Sequence, residues 1–349
     1  MQRFIQFTKT HKLFTLILIV VGVFSVVIFA ALSFIPQNST NTPTTPIIPT
    51  PFEKIPTSQN TNILLPGGQN TTFTNASYFT AFTNTLPSSM PTYIKSQQNL
   101  SAEVIQSVAS NFQASGNGKI IEGTYYWEIP AQKASLIIDS TNGFVTYNSM
   151  YVQAKPDSLD SIPLVETPED VVSGAKKILK DFKINTSETD MNAPVIKYFK
   201  EYSEEPEFTQ NFNESSIFMV SFPKTLNGKT LYKQFGEAVY TSVVFDRLYT
   251  VKQITYYIFQ TQQIQPPTKL ISTPDFRKII NEGKGTVRQP YSLQNPVESA
   301  IFNLTQAKEG YLLESHSPYI IPIFIASGTV AINNQEAQEA VIYTLAAQE

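Results

Sequence analysis

The sequence predicts an α+β protein: an N-terminal transmembrane helix, then tandem modules in each of which one helix packs on an antiparallel β-meander. Three observations lead to that class. Residues 13–35 form an uncharged apolar run, a Pro-, Thr- and Asn-rich segment follows it, and beyond that lie three amphipathic helix signals, each succeeded by β-type segments. All 17 Tyr and the single Trp come after residue 77, so the aromatic material for a core is concentrated in the C-terminal region.

Residues 1–12 read as a cytoplasmic stub carrying Arg3, Lys9 and Lys12. The apolar run is interrupted only by Thr15, Gly22, Ser25 and Ser33. As a helix its 23 residues extend about 34 Å, enough for a hydrocarbon core of about 30 Å. The next cation is Lys54, so the positive-inside bias leaves the N-terminus in the cytoplasm and everything after Pro36 outside the cell membrane, a single-pass arrangement with the lipid bilayer as its partner at 13–35. A cleavable signal peptide is the competing reading, but the apolar region is long for one and the small-residue site around Ala30 to Ser33 is poor. Residues 36–72 hold seven prolines among Thr, Asn and Ser, with Glu53 and Lys54 as their only charges. Such a segment buries too little apolar area to offset its ordering entropy, which predicts a disordered tether reaching about 35 Å as a coil.

Three α+β modules are expected to follow, at 73–160, 161–265 and 266–349. The first helix opens at Ser101 and lines up Val104, Ile105, Val108 and Phe112 on one stripe. A second opens at Thr167-Pro168, with Thr as N-cap and Pro at the first helical position, and its stripe runs Val171, Val172, Ala175, Ile178, Leu179 and Phe182. The third opens at Thr273-Pro274-Asp275, lines up Phe276, Ile279 and Ile280, and stops at Gly283. Strands are predicted after the first helix at 124–129, 134–139 and 144–148, the last two joined by a turn whose Asn142-Gly143 supplies positive φ. After the second helix they fall at 195–202, 217–222, 239–246 and 251–259, and after the third at 300–305, 311–314, 320–326 and 341–345. Residues 134–139 and 241–246 share a pattern of Ser, three apolar residues and Asp, which suggests degenerate copies; helix starts 66 and then 106 residues apart are too uneven for a solenoid.

The module of helix, strand, Asp-x-x-x-Gly hairpin and strand at 101–148 resembles the PepSY type of extracytoplasmic domain. The order of stub, membrane helix and tandem modules, with the 273–285 helix closing on Asn-Glu-Gly-Lys-Gly and the strand Tyr319-Ile320-Ile321-Pro322-Ile323-Phe324, is similar to the YycH/YycI regulators of Gram-positive bacteria. That resemblance implies a non-enzymatic binding or regulatory role at the outer face of the membrane, with an envelope protein or sensor kinase as partner.

Composition narrows the chemistry. A net charge of −3 and a pI near 5.6, with no basic cluster, argue against nucleic acid as a partner. The chain has no Cys, which excludes disulfides, thiolate nucleophiles and cysteine-bound zinc, and points to a bacterial or archaeal envelope. His316 sits in an expected loop without a Gly-x-Ser-x-Gly elbow to serve. Ser173-Gly174-Ala175-Lys176 matches Ser-x-x-Lys but falls inside a helix, and Asn227-Gly228-Lys229-Thr230 reads as a hairpin turn. Asp139 to Gly143 spaces oxygens as a calcium loop begins, yet the twelfth position is Met150. Neither an enzyme, a cofactor nor a metal site is therefore expected. Two surface candidates remain: the acidic group Glu201, Glu204, Glu205 and Glu207, and the aromatics Tyr125 and Trp127. The leading expectation is a non-catalytic interaction or regulatory protein. A module binding wall polymer or glycan through Tyr125 and Trp127 is the alternative, and a wall hydrolase a more distant one.

Overall fold

The computed structural model describes residues 76–95, 99–149, 164–200, 207–233, 237–288, 299–313, 317, 319–333 and 337–347, all within one compact unit, Pro51–Glu349. The stub, the 13–35 segment and the tether lie outside the described residues. Among the described residues no helix is long and apolar enough to cross a membrane.

In chain order the elements begin with β1 (Ala76–Thr80), β2 (Ser89–Lys95), α1 (Ala102–Asn111), β3 (Lys119–Ile121), β4 (Thr124–Ile129), β5 (Ala134–Asp139) and β6 (Phe144–Ser149). The middle of the chain supplies α2 (Pro168–Asp181), β7 (Val195–Phe199), β8 (Phe208–Thr209), β9 (Ile217–Pro223), β10 (Thr225–Leu226), β11 (Lys229–Lys233), β12 (Tyr240–Asp246) and β13 (Val251–Tyr257). Last come β14 (Thr261–Lys269), α3 (Thr273–Asn281), β15 (Thr286–Arg288), β16 (Ala300–Leu313), β17 (Tyr319–Ile332) and β18 (Gln338–Leu345).

This architecture corrects the α+β expectation. Among the described residues 53% are strand and 17% helix, with three α-helices serving two nine-stranded sheets. The first sheet runs β3-β4-β5-β6-β13-β12-β9-β7-β8 and is antiparallel throughout. The second runs β10-β11-β16-β17-β18-β15, with β1 parallel beside β16 and β2 bridging β14 to β17. Separate meanders are ruled out by the pairings: β6 bonds to β13, β2 to β14 and β17, and β11 to β16. Joining β6 to β13 removes two unpaired edges, each a row of unsatisfied N–H and C=O groups.

Within the first sheet the chain repeats itself about a local two-fold. Helix α1 precedes β3 to β6, helix α2 precedes the strands ending in β13, and the two final strands pair antiparallel with Phe144 opposite Tyr257, Thr146 opposite Thr255 and Asn148 opposite Gln253. The Ser-apolar-Asp pattern marks equivalent hairpins. Asp139 Oδ1 accepts from the N–H of Thr141 and Asn142, and Asp246 Oδ1 accepts from those of Leu248 and Thr250. Each Asp thus satisfies backbone donors that the tight turn leaves over.

The helices follow from local rules. Ser101, Thr167 and Ser272 are the N-caps, and α2 has a full capping box with Asp170, whose Oδ2 accepts from the N–H of Thr167 while the Thr167 hydroxyl oxygen accepts from the N–H of Asp170. Both helices on the first sheet also end alike. Phe112 and Phe182 are the C-caps, Gln113 and Lys183 follow with φ of 58° and 52°, and the N–H of Ala114 and Ile184 then bond back to the carbonyls of Ala109 and Leu179. The apolar stripes of both helices share one buried cluster with Leu136, Ile138, Val145, Val220, Val243 and Ile254, so both lie on the same face of the sheet. Helix α3 packs Phe276 and Ile280 into a second cluster with Tyr311, Phe302 and Phe324 of the other sheet.

The chain passes from the first sheet to the second at Lys224, between β9 and β10. The backbone N–H of Lys224 donates to the Val239 carbonyl, and its buried ammonium lies 3.4 Å from Glu188 and 5.9 Å from the Phe259 ring centroid.

Candidate functional site

The two helices of the first sheet converge at their C-termini, where the Phe112 and Phe182 rings stand 5.1 Å apart and Tyr147 stacks on Phe112 at 5.0 Å. Tyr147 and Phe182 of this cluster form the aromatic floor of an open cleft of about 470 Å3, and Phe112 is buried beneath them. Helix α1 contributes Asn111 and the following Gln113, and α2 contributes Asp181 and Phe182. Gln132 comes from the β4–β5 connection, Tyr147 and Ser149 from β6, Thr250 from the β12–β13 turn and Val251 from the start of β13.

One wall is a directed chain of hydrogen bonds. The Tyr147 hydroxyl donates to Gln132 Oε1 at 2.8 Å, and Gln132 Nε2 donates to Gln113 Oε1 at 3.0 Å. Burial pushes the Tyr147 phenol above its ordinary value of 10.0, a hydrogen bond from Ser149 opposing it, so the tyrosine remains a neutral donor at physiological pH. The α2 end adds Asp181, the one charged group among the described residues lining the cleft. No Ser, Thr or Cys beside a His or Lys base occurs among those residues, and no group of three or more His, Cys, Asp or Glu side chains placed to hold a metal occurs among the described residues. The arrangement can bind through a carboxylate, amides and an aromatic surface.

The residues singled out from the sequence fall elsewhere. Trp127 is 4% exposed, its Nε1 donates to the Gly116 carbonyl, and the half-buried Tyr125 ring stacks on it at 5.9 Å, so the pair covers the helix–sheet core and presents no open platform. Glu207 is exposed and ion-paired to Lys200 at 2.6 Å, at the opposite end of the first sheet from Tyr125 and Trp127. Glu201, Glu204, Glu205 and His316 lie outside the described residues. Ser173 donates to the Asp170 carbonyl within α2, while Asn227 and Gly228 form the β10–β11 turn with φ of 49° and 72°. Gln113 and Gln132 belong to no motif; the visible signal for the cleft was that both helix stripes end in Phe.

A β-rich, two-sheet protein with a duplicated helix-on-sheet half and a cleft of ligand size is the class these features define. No family model matches the chain, and no curated protein matches it. Among solved structures it is similar to an uncharacterized protein from Eubacterium rectale ATCC 33656, at 10% identity and a TM-score of 0.41, covering 77% of this chain and 86% of that one. A likeness of that size carries no argument about function.

Proposed function

We propose that this is a non-catalytic interaction or regulatory protein of a bacterial cell envelope, held to the membrane by residues 13–35 and displayed outside the cytoplasm, with the cleft between α1 and α2 as its binding seat. The observation that carries the reading is the cleft itself: an aromatic floor, an amide wall and one carboxylate, built where the two equivalent halves meet. Binding needs pre-formed concavity with a few converging polar groups, and that is what the helix ends provide. The uncharged 23-residue run and the cation bias at Arg3, Lys9 and Lys12 support the anchored topology. An envelope protein or a sensor kinase is the partner this reading favours, as the resemblance to the YycH/YycI regulators implies.

Two measurements test it together. Reporter fusions at the C-terminus are expected to be active only as the extracytoplasmic type. A photo-crosslinker placed at Gln113 in living cells is expected to trap an envelope protein. A reporter active only in the cytosol, or a crosslinking pattern equal to that of a probe at Glu282, on a different helix, overturns the proposal.

A further inference from the structure

The chemistry of the cleft is one-sided. Asp181 is exposed at its rim with no hydrogen-bond or ion-pair partner among the described residues. Two helices end at this point, and each C-terminus contributes roughly half a negative charge from its aligned carbonyl dipoles. Helix α1 has no basic residue in its last turn; the cations near α2's end, Lys180 and Lys183, are neighbours of Asp181 in the chain but do not line the cleft. The half-buried Phe182 ring beside the carboxylate adds a π-face of the kind that attracts an ammonium group. Also lining the cleft, the hydrogen-bond chain runs from Tyr147 to Gln132 to Gln113 and uses Gln113 Oε1 as acceptor, so that the Gln113 Nε2 group is the part of that amide left to donate to a ligand acceptor.

We infer that the cleft seats a short peptide by its free amino terminus, the ammonium on Asp181 and Phe182 and the first carbonyls on Gln113 and Asn111. A cation with an adjacent amide carbonyl is what these groups jointly complement, and the volume of about 470 Å3 lies in the range of small-ligand sites, roughly 300–1,000 Å3. The inference deepens the binding role proposed above and rests on it.

The test is calorimetric titration of the full chain in nanodiscs with tri-alanine, N-acetyl-tri-alanine and glucosamine. Tri-alanine is expected to bind, with acetylation and Asp181→Asn each weakening it about tenfold or more, as loss of a charge-assisted contact implies. Gln113→Ala is expected to weaken it less, and Glu207→Gln, at the far edge of the sheet, to leave it unchanged. Asp181 and Gln113 are both exposed, so unchanged thermal unfolding will show that their variants fold. Absence of tri-alanine binding, equal affinity for the acetylated peptide, indifference to Asp181→Asn, or tighter binding of glucosamine each overturns the inference. A partner trapped at Gln113 in cells would survive any of those results, so the two proposals fail separately.

Discussion

Thr146 and Thr255 face each other across the central strand pair of the first sheet, at the seam where its two halves join. Each half sets a helix on antiparallel strands, β3 to β6 in one and β7, β8, β9, β12 and β13 in the other, and the last strand of each is the other's neighbour. The cleft is a direct result, because the same operation that pairs β6 with β13 brings the C-caps Phe112 and Phe182 together.

Phe112 is fully buried between Tyr147 and Phe182. Phe112→Ala removes the ring on which both halves rest, and the resulting void is expected to cost about 3–5 kcal/mol. Urea unfolding checks this. A loss below about 1 kcal/mol would mean that the halves do not depend on one another at this point.

Gly174 sits in the middle of α2, where alanine ordinarily stabilises a helix by about 1 kcal/mol. Here a Cβ would stand 2.4 Å from the Tyr249 ring. Gly174→Ala is therefore expected to destabilise, by about 1–3 kcal/mol. Thermal melting gives the sign directly.

The capping box of α2 makes stability depend on acid pH. Hydrogen bonds from the Thr167 side chain and backbone hold the Asp170 carboxyl below its ordinary value of 3.8. Its folded pKa lies below the unfolded one, so the contribution is complete above about pH 3.8 and is lost as pH falls through the folded value. Asp170→Asn should flatten the acid limb of a stability-against-pH curve, and Thr167→Ala should cost about 1 kcal/mol at neutral pH.

Lys224 and Glu188 offer the opposite limb. Burial holds the Lys224 ammonium below its ordinary 10.5, against the opposing pull of Glu188. The folded pKa again lies under the unfolded one, so stability should rise with pH between the folded value and 10.5. Lys224→Met is expected to abolish that rise and to be nearly neutral near pH 7, whereas Glu188→Ala, which strands a buried charge, should cost about 1–2 kcal/mol. Equal losses for the two variants would contradict this account.

The helices were legible in the sequence because their signals are local. Ser101, Thr167 and Pro168 sit where the capping rules put them, and the third helix opens at Thr273, with Ser272 before it as N-cap. The sheets were not, because partner choice is long-range. Residues 300–305 and 311–314 read as two strands across a polar stretch, yet β16 is one strand of 14 residues, and Gly310 lies in that stretch because the Tyr232 ring occupies the space a Cβ would need. Strand β14, with the sequence TQQIQPPTK, has no alternation to reveal it; its prolines lie in the register shift between Ile264 and Thr268, at the outer edge of the sheet. The cleft was illegible for the same reason, since Gln113 and Gln132 meet only once the sheet has formed.

Strand β1 has a mechanical consequence. Any tension arriving from residues ahead of Ala76 enters a five-residue strand that lies parallel to β16, with Ala76 beside Ala300, Thr80 beside Leu304 and the Tyr78 ring stacked on Phe302. A pull along the strand axis loads all of those rungs in shear at once, so the load falls on the second sheet before it reaches any strand of the first.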